Sequence, residues 1–278
     1  MGLNDLKVKD IAWPTLGLFI CNSLMILLML CFYPSINYLL YLTITSVLFY
    51  INFTPFHESG HNLIASKKYQ YINDIVAIGS NFIYTAIVPL WKTVHSQHHL
   101  HTNDIELDPD KFYNDLTNVY LYGWFLDYTY AYHYFVKYFP EKSLGEQIYA
   151  GTSLGLYFVM FAFILYYKCG SRFFFSCYIP QRISLFLASY ILDYNSHHDC
   201  PVITDKDVNK EEGTNKIQGI VEKGDYPLLT SLITQNQNYH IVHHMYPMIP
   251  FYNYSKLWNE RGGNLLKRGS RERVLSDG

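Results

Sequence analysis

Residues 12–33, AWPTLGLFICNSLMILLMLCFY, form an apolar stretch without a single charged residue. About 20 consecutive apolar residues are enough for a helix to cross the hydrocarbon core of a bilayer. Residues 37–55, NYLLYLTITSVLFYINFTP, form a second uncharged run after a short turn at Pro34 and Ser35. Two adjacent runs of this length predict a transmembrane hairpin, and the alternative is a hairpin buried in the core of a soluble protein.

Two later stretches predict a second transmembrane hairpin. Residues 147–167, QIYAGTSLGLYFVMFAFILYY, have the same apolar character as the first two runs. Residues 173–194 are less regular, because Pro180, Gln181 and Arg182 interrupt them. A charged residue in the middle of a span is costly unless it faces protein or water. We therefore expect Arg182 to face protein or water, or to cap a broken helix.

The segments between the spans predict a polar cap, formed by residues 56–140 and 195–260. Within it, residues 72–91 are apolar but contain Asn73, Asp74 and Asn81. A full crossing by this segment would separate two histidine clusters that need to meet, so we predict an interfacial or re-entrant helix. Residues 119–139 are dense in aromatic residues and predict an interfacial helix.

Charge and composition indicate how the protein is oriented and exclude some functions. Lysines near the N-terminus and after the second span place both on the cytoplasmic side, as the positive-inside tendency requires. The 278 residues carry a net charge of −2 without a basic patch, which excludes nucleic acid as a partner. We predict a single domain, 1–278. Its fold class is all-α integral membrane, with four transmembrane helices in two hairpins, interfacial helices and a cytoplasmic histidine-rich cap for two metals.

Eight of the 12 histidines fall in three short boxes. The boxes are His57-Glu58-Ser59-Gly60-His61, His95-Ser96-Gln97-His98-His99 and His240-Ile241-Val242-His243-His244. Histidine is the commonest metal ligand, and these boxes hold more imidazoles than one ion needs, so we predict a site for two ions. In the second and third boxes, we expect the first and second histidines to share a helix face. The third points about 100° away, toward the other ion.

The first box also fits the zinc metalloprotease pattern H-E-x-x-H. In that interpretation Glu58 would be the general base of an intramembrane protease. A zinc protease needs three protein ligands on one ion, which leaves five box histidines without a role. A further alternative is a catalytically silent membrane scaffold with a structural metal site.

The three boxes, in this order and separated by paired apolar runs, resemble the membrane fatty acid desaturase superfamily over roughly residues 40–257. Three further stretches are similar to the carotene hydroxylase and ketolase branch. They are HHLHTNDIELDPD (98–110), LDYNSHHDCP (192–201) and QNYHIVHHMYPMIPFY (237–252). The resemblance implies an oxidoreductase that desaturates, hydroxylates or ketolates a long apolar lipid, either an acyl chain or a carotenoid ring.

The resemblance also implies two non-haem irons, O2 as co-substrate and electrons from an external donor such as a ferredoxin or a cytochrome b5-like protein. No flavin, haem or iron–sulfur motif is present in the sequence. The implied metal ligands are His57, His61, His95, His98, His99, His240, His243 and His244, with a ninth in His197. His198 is the alternative ninth ligand, since Ser196, Asp199 and Cys200 depart from the family pattern there.

Polar residues near the boxes could orient the ligand rings through hydrogen bonds to the second ring nitrogen. The candidates for this role are Glu58, Asp104, Asp108, Asp110, Asp193, Asp199 and Asn236. For each acid, a loop or capping role is the simpler alternative.

Overall fold

The computed structural model describes residues 2–84, 86–198, 220–224, 227–267 and 271–275. The helices in chain order are α1 (Leu3–Leu6), α2 (Trp13–Phe32), α3 (Tyr38–Ile51), α4 (Phe53–Gly60), α5 (Gln70–Tyr84), α6 (Val88–His101), α7 (Leu116–Tyr122), α8 (Leu126–Tyr132), α9 (Leu144–Tyr166), α10 (Gly170–Phe173), α11 (Ile179–Ala188), α12 (Asn195–His197), α13 (Pro227–Thr234), α14 (His240–Met245) and α15 (Tyr254–Lys267). Two short strands, β1 (Ile220–Gly224) and β2 (Arg271–Leu275), pair in parallel. Apart from this one short pair, the described elements are helical, so the predicted all-helical class is confirmed.

Three segments of the described chain are long and apolar enough to cross a membrane: Trp13–Ser35, Tyr38–Gly60 and Leu144–Tyr166. They coincide with the first three predicted spans. The second extends further than its apolar run, because Asn52 keeps a helical backbone conformation between α3 and α4. The first histidine box therefore begins on the last turns of this candidate span, and His61 directly follows its final residue.

The predicted fourth span, 173–194, is not among these three candidate spans, and it is built differently. It consists of α11 flanked by π-helical turns at Phe174–Tyr178 and Ser189–Tyr194. Arg182 lies in α11, where its guanidinium donates to the carboxylate of Asp127 on α8 at 2.8 Å. The buried ion pair with Asp127 thus offsets the unfavourable burial of the Arg182 charge. Arg182 faces protein, which is one of the predicted positions.

The segment predicted as one interfacial or re-entrant helix, 72–91, contains most of α5 and the start of α6. The helix ends at Tyr84, and a new helix begins at Val88. Pro89 lies in the first turn of α6, where a backbone N–H has no helical partner and its absence is not destabilising. The aromatic segment 119–139 is similarly divided, into α7, α8, a 3-10 turn and a π-helical turn at His133–Tyr138.

Two apolar clusters support the histidine boxes. One contains Phe56, Trp91 and Tyr130, and it joins α4, α6 and α8 next to the first and second boxes. The other contains Ile241, Val242 and Trp258, and it packs α14 against α15. Each box therefore lies on a helix that also contributes side chains to a buried core.

Candidate metal centre

The three boxes lie on three helices whose ends meet. His57 and His61 are one turn apart at the end of α4, and the second box occupies the last turns of α6. The third box forms α14, after Gln235 and Asn236 adopt positive φ angles of 54° and 62°. Asparagine tolerates this left-handed conformation better than most residues, which permits the tight reversal from α13 into the third box.

The structure brings the nine predicted histidines into two groups, in which the nitrogens offered by the members lie within 4.8 Å of one another. The first group is His57, His61, His95, His99 and His243, and the second is His98, His197, His240 and His244. The groups adjoin, since the rings of His99 and His244 have centroids 4.3 Å apart.

The division between the groups differs from the predicted one. His95 and His99 share a group and His98 belongs to the other, whereas we expected His95 and His98 to share an ion. The third box repeats this arrangement, with His240 and His244 together. Residues four apart on a helix are offset by about 40°, against about 60° for residues three apart, so the four-residue pair shares a face more closely.

The spacing of the ring nitrogens fits coordination to metal ions. His95 Nε2 lies 3.0 Å from both His61 Nε2 and His99 Nε2, and His99 Nε2 lies 2.9 Å from His243 Nε2. Metal–nitrogen bonds of about 2.1 Å place neighbouring ligand nitrogens about 3.0 Å apart when the bonds meet at right angles. A neutral ring carries only one N–H, so hydrogen bonds alone do not satisfy an Nε2 with two such neighbours.

Burial supplies a second test of the fit. His57 is 1% exposed, and neither of its ring nitrogens has a hydrogen-bond partner among the described residues. Buried polar atoms are rarely left unpaired. A cation bound among these nitrogens would satisfy His57, so the residues present fit a metal centre.

The electrostatics keep most of these imidazoles neutral. Burial and neighbouring histidines hold the pKa values of His95, His99 and His243 well below the usual range, and burial lowers the pKa of His61 to about 4. The same causes lower the pKa of His240 and His244. Metal ligation requires the neutral ring. Because these imidazoles are neutral at neutral pH, protons compete only weakly with a metal ion for their nitrogens.

His98 differs because carboxylates face its Nδ1. The distance from Nδ1 is 2.8 Å to Asp108 Oδ1 and 3.3 Å to Asp110 Oδ2. Burial would lower the pKa of His98, but Asp108 and Asp110 outweigh it and raise that pKa to about 9. The carboxylates accept from Nδ1–H, so Nε2 is the nitrogen that faces the other histidines, 3.2 Å from His244 Nε2, and a metal ion would displace its proton.

Further supports come from residues that sequence reasoning did not select. Tyr254 contacts His243 Nδ1 at 3.0 Å, and Gln237 Oε1 lies 3.3 Å from His240 Nδ1. Tyr130 donates to Asp110 at 2.9 Å and therefore fixes a carboxylate that faces His98. Only the position of Gln237 in the helical turn before its histidine could have indicated such a role.

The structure distinguishes His197 from His198. His197 is 1% exposed and belongs to the second group. The ring of His198 instead stacks on Tyr194 at 4.3 Å, and its Nδ1 lies 2.7 Å from the Tyr194 carbonyl oxygen. The geometry thus favours His197 over the alternative.

The other polar candidates occupy different positions. Asp104 accepts from the backbone amides of Glu106 and Leu107, which is a turn-capping role. Asp193 is buried close enough to His98 to add to the rise in the pKa of that ring. Asn236 acts through its backbone, whose amide donates to the Ser231 carbonyl oxygen. Asp199 lies outside the described residues.

Glu58 points away from the imidazoles. Its carboxylate accepts from Thr15 Oγ1 at 2.8 Å and from the Phe251 amide at 2.6 Å. It thereby connects α2, α4 and the segment after α14. The general-base role of a zinc protease requires a glutamate beside the ion, so this arrangement argues against that alternative.

Asp108 and Asp104 offer a matched test of ring orientation. The Asp108 carboxylate accepts from His98 and from the amides of Asn103 and Asp110. In Asp108→Asn, an NH2 group would face one of these donors, so we expect metal affinity to fall about 10- to 100-fold. Asp104→Asn should leave affinity unchanged. Competition with a chelator measures both, and equal affinities in the two variants would contradict this role for Asp108.

The fold and the site define a helical membrane protein with a buried centre of histidines able to hold metal ions. A family model described as fatty acid desaturase matches residues 34–275. The chain therefore belongs to the fatty acid desaturase family, a family of oxidoreductases, and the resemblance drawn from the histidine boxes is confirmed at that level. A comparison with curated proteins gave no match.

Proposed function

We propose that this protein is a membrane-bound, O2-dependent, non-haem di-iron oxidoreductase that removes hydrogen from a long apolar lipid. The observation that carries the proposal is the pair of adjoining histidine groups with ring nitrogens about 3 Å apart. The nine grouped histidines are the proposed ligands, five for one iron and four for the other. Bound irons would supply the activation of O2 that attack on an unactivated C–H bond needs.

The size of the first group favours iron over zinc. Structural zinc sites have four protein ligands, and catalytic zinc sites keep three. Five imidazoles around one position exceed both, and imidazole also suits iron. The role of the protein is to orient these rings, through Asp108 at His98 and Tyr254 at His243. Burial keeps most of the other rings neutral.

Two cavities support the access of an extended lipid to the centre. The outer cavity, of about 290 Å³, lies between α5, the start of α6 and α9. The inner one, of about 30 Å³, is lined by Phe53, Tyr84 and Trp91, and Ala86 lines both. Phe53 stacks on His57 at 5.6 Å and Trp91 on His95 at 4.4 Å, so the wall of the inner cavity contacts the first histidine group.

The narrow inner cavity favours an unbranched chain as the substrate. A methylated carotenoid ring is wider than a polymethylene chain, and interiors this well packed resist overfilling. Aromatic side chains around the inner cavity would exclude water from the reacting carbon. We propose an acyl or related straight-chain substrate, with the carotenoid ring as the alternative that the similar sequence stretches favour.

The proposal includes the topology and the electron source. The segment 173–194 would be the fourth span, and the histidine centre would face the cytoplasm. Electrons would come from an external donor such as a ferredoxin or a cytochrome b5-like protein. Desaturation, hydroxylation and ketolation use the same ligands, and we propose desaturation because the proposed substrate is a straight chain.

Metal analysis and lipid profiling test this function together. We expect about two irons per purified chain, and an altered fatty acid profile in a host that expresses the protein. His98→Ala should lose the altered profile, because one group then lacks a ligand. One zinc per chain without iron would overturn the proposal, and so would a host lipid profile identical to that of His98→Ala.

A further inference from the structure

The outer cavity carries an inference about the substrate, and this inference rests on the proposed function. Its lining is mostly apolar and includes Ile78, Ile87 and Leu156. Leu156 is 66% exposed on α9, so the cavity opens toward the lipid-facing side of the helix. A lipid can therefore enter laterally, and Ala86 lines both this cavity and the inner one.

Asn81 breaks the apolar character of this cavity. The residue is 3% exposed, and its Oδ1 and Nδ2 are both buried without a hydrogen-bond partner among the described residues. Its main-chain oxygen accepts from the Tyr157 hydroxyl at 3.1 Å. A buried amide that lacks both an acceptor and a donor is unfavourable, and in native proteins such a group usually has a partner.

We propose that Asn81 binds a hydroxyl group of the lipid substrate in the outer cavity. A hydroxyl oxygen both donates and accepts, so one group satisfies Oδ1 and Nδ2 together. An ester oxygen only accepts and leaves Oδ1 unpaired, and a hydrocarbon leaves both atoms unpaired. Ser153 and Tyr149 also line the cavity.

This contact would determine which carbon reaches the histidines. Val88 lines the outer cavity, and His95 is seven residues further along α6, about 10 Å at the rise of a helix. A hydroxyl held at Asn81 therefore measures a fixed length of chain to the first histidine group. The site of attack is then set from the hydroxyl end of the substrate.

Competition binding with matched probes tests the subsite without turnover. Octadecanol, methyl octadecanoate and octadecane compete with a diazirine-bearing acyl probe for photo-crosslinking to the full-length protein in nanodiscs. We expect the wild type to bind octadecanol about tenfold more tightly than octadecane. Asn81→Leu should lose this preference, and Asn81→Ser should keep part of it. Asn22→Leu, which removes another buried membrane amide, should retain the full preference.

The outcomes separate this inference from the proposed function. A preference for octadecanol that persists in His98→Ala supports the subsite even when that variant gives no product. If Asn81→Leu keeps the full preference, or if the wild type has none because water satisfies Asn81, the inference is overturned. Neither of those two results bears on iron content, which tests the function independently.

Discussion

Replacing His197 with alanine is expected to remove about half of the bound iron and to lower lipid product at least about 100-fold. The ring of His197 lies with its centroid 4.9 Å from those of His98 and His244. It is one of only four imidazoles in its group, so its loss leaves three. The loss of a supporting residue costs 10- to 100-fold, and the loss of a ligand should cost more.

The adjacent histidine is the matched control for this prediction. His198→Ala removes a ring that stacks on Tyr194, so we expect iron content and product to stay near those of the wild type. Iron per chain by mass spectrometry and product by lipid analysis measure both variants. A reversed pattern, with iron lost in His198→Ala and retained in His197→Ala, would show that the second group is wrongly assigned.

The histidine centre was predictable as a set of residues, but its division between two positions was not. Spacing within a box places histidines near one helix face, yet offsets of about 40° and 60° are too similar to separate pairs by sequence alone. The packing of α14 against α6 determines which histidines share a group, because it brings His243 to His99 and His244 to His98. These contacts join residues more than a hundred positions apart.

The supports of the centre were predictable only where they lie close in sequence to a box. Asp108 follows His98 by one short loop, and both the sequence and the structure select it. Tyr130 and Tyr254 come from helices outside the boxes, and no periodicity indicates that their hydroxyls point toward Asp110 and His243. Their roles depend on the packing of the apolar clusters behind each box.

The apolar spans were the most predictable part of the fold, because lipid requires long uncharged helices. The structure of the segment around Arg182 was less predictable, because it contains a charged residue. The stability of a charge there depends on a partner, and Asp127 is distant in sequence and lies in a short helix among aromatic residues. The same pair leads to the largest expected effect on stability.

Asp127→Ala is expected to lower the free energy of unfolding by about 3–5 kcal/mol. The side chains of Asp127 and Arg182 are each 8% exposed, and the guanidinium donates to the carboxylate through both terminal nitrogens. Removal of the carboxylate leaves a buried cation whose remaining acceptors are Trp124 O and Gln181 Oε1. Unfolding of the detergent-solubilised protein by denaturant measures the change.

Two further variants test whether the loss of stability in Asp127→Ala comes from the unpaired buried charge of Arg182. The exposed pair Lys142–Glu146, at 3.6 Å, should contribute little because solvent screens it, so Glu146→Gln is the control for loss of a surface carboxylate. The double variant Asp127→Leu with Arg182→Leu removes both charges and should recover most of the stability lost in Asp127→Ala, because replacing a buried pair by apolar residues is often neutral. If the double variant is less stable than Asp127→Ala, the ion pair contributes net stability, and the cost of the unpaired arginine is not the cause.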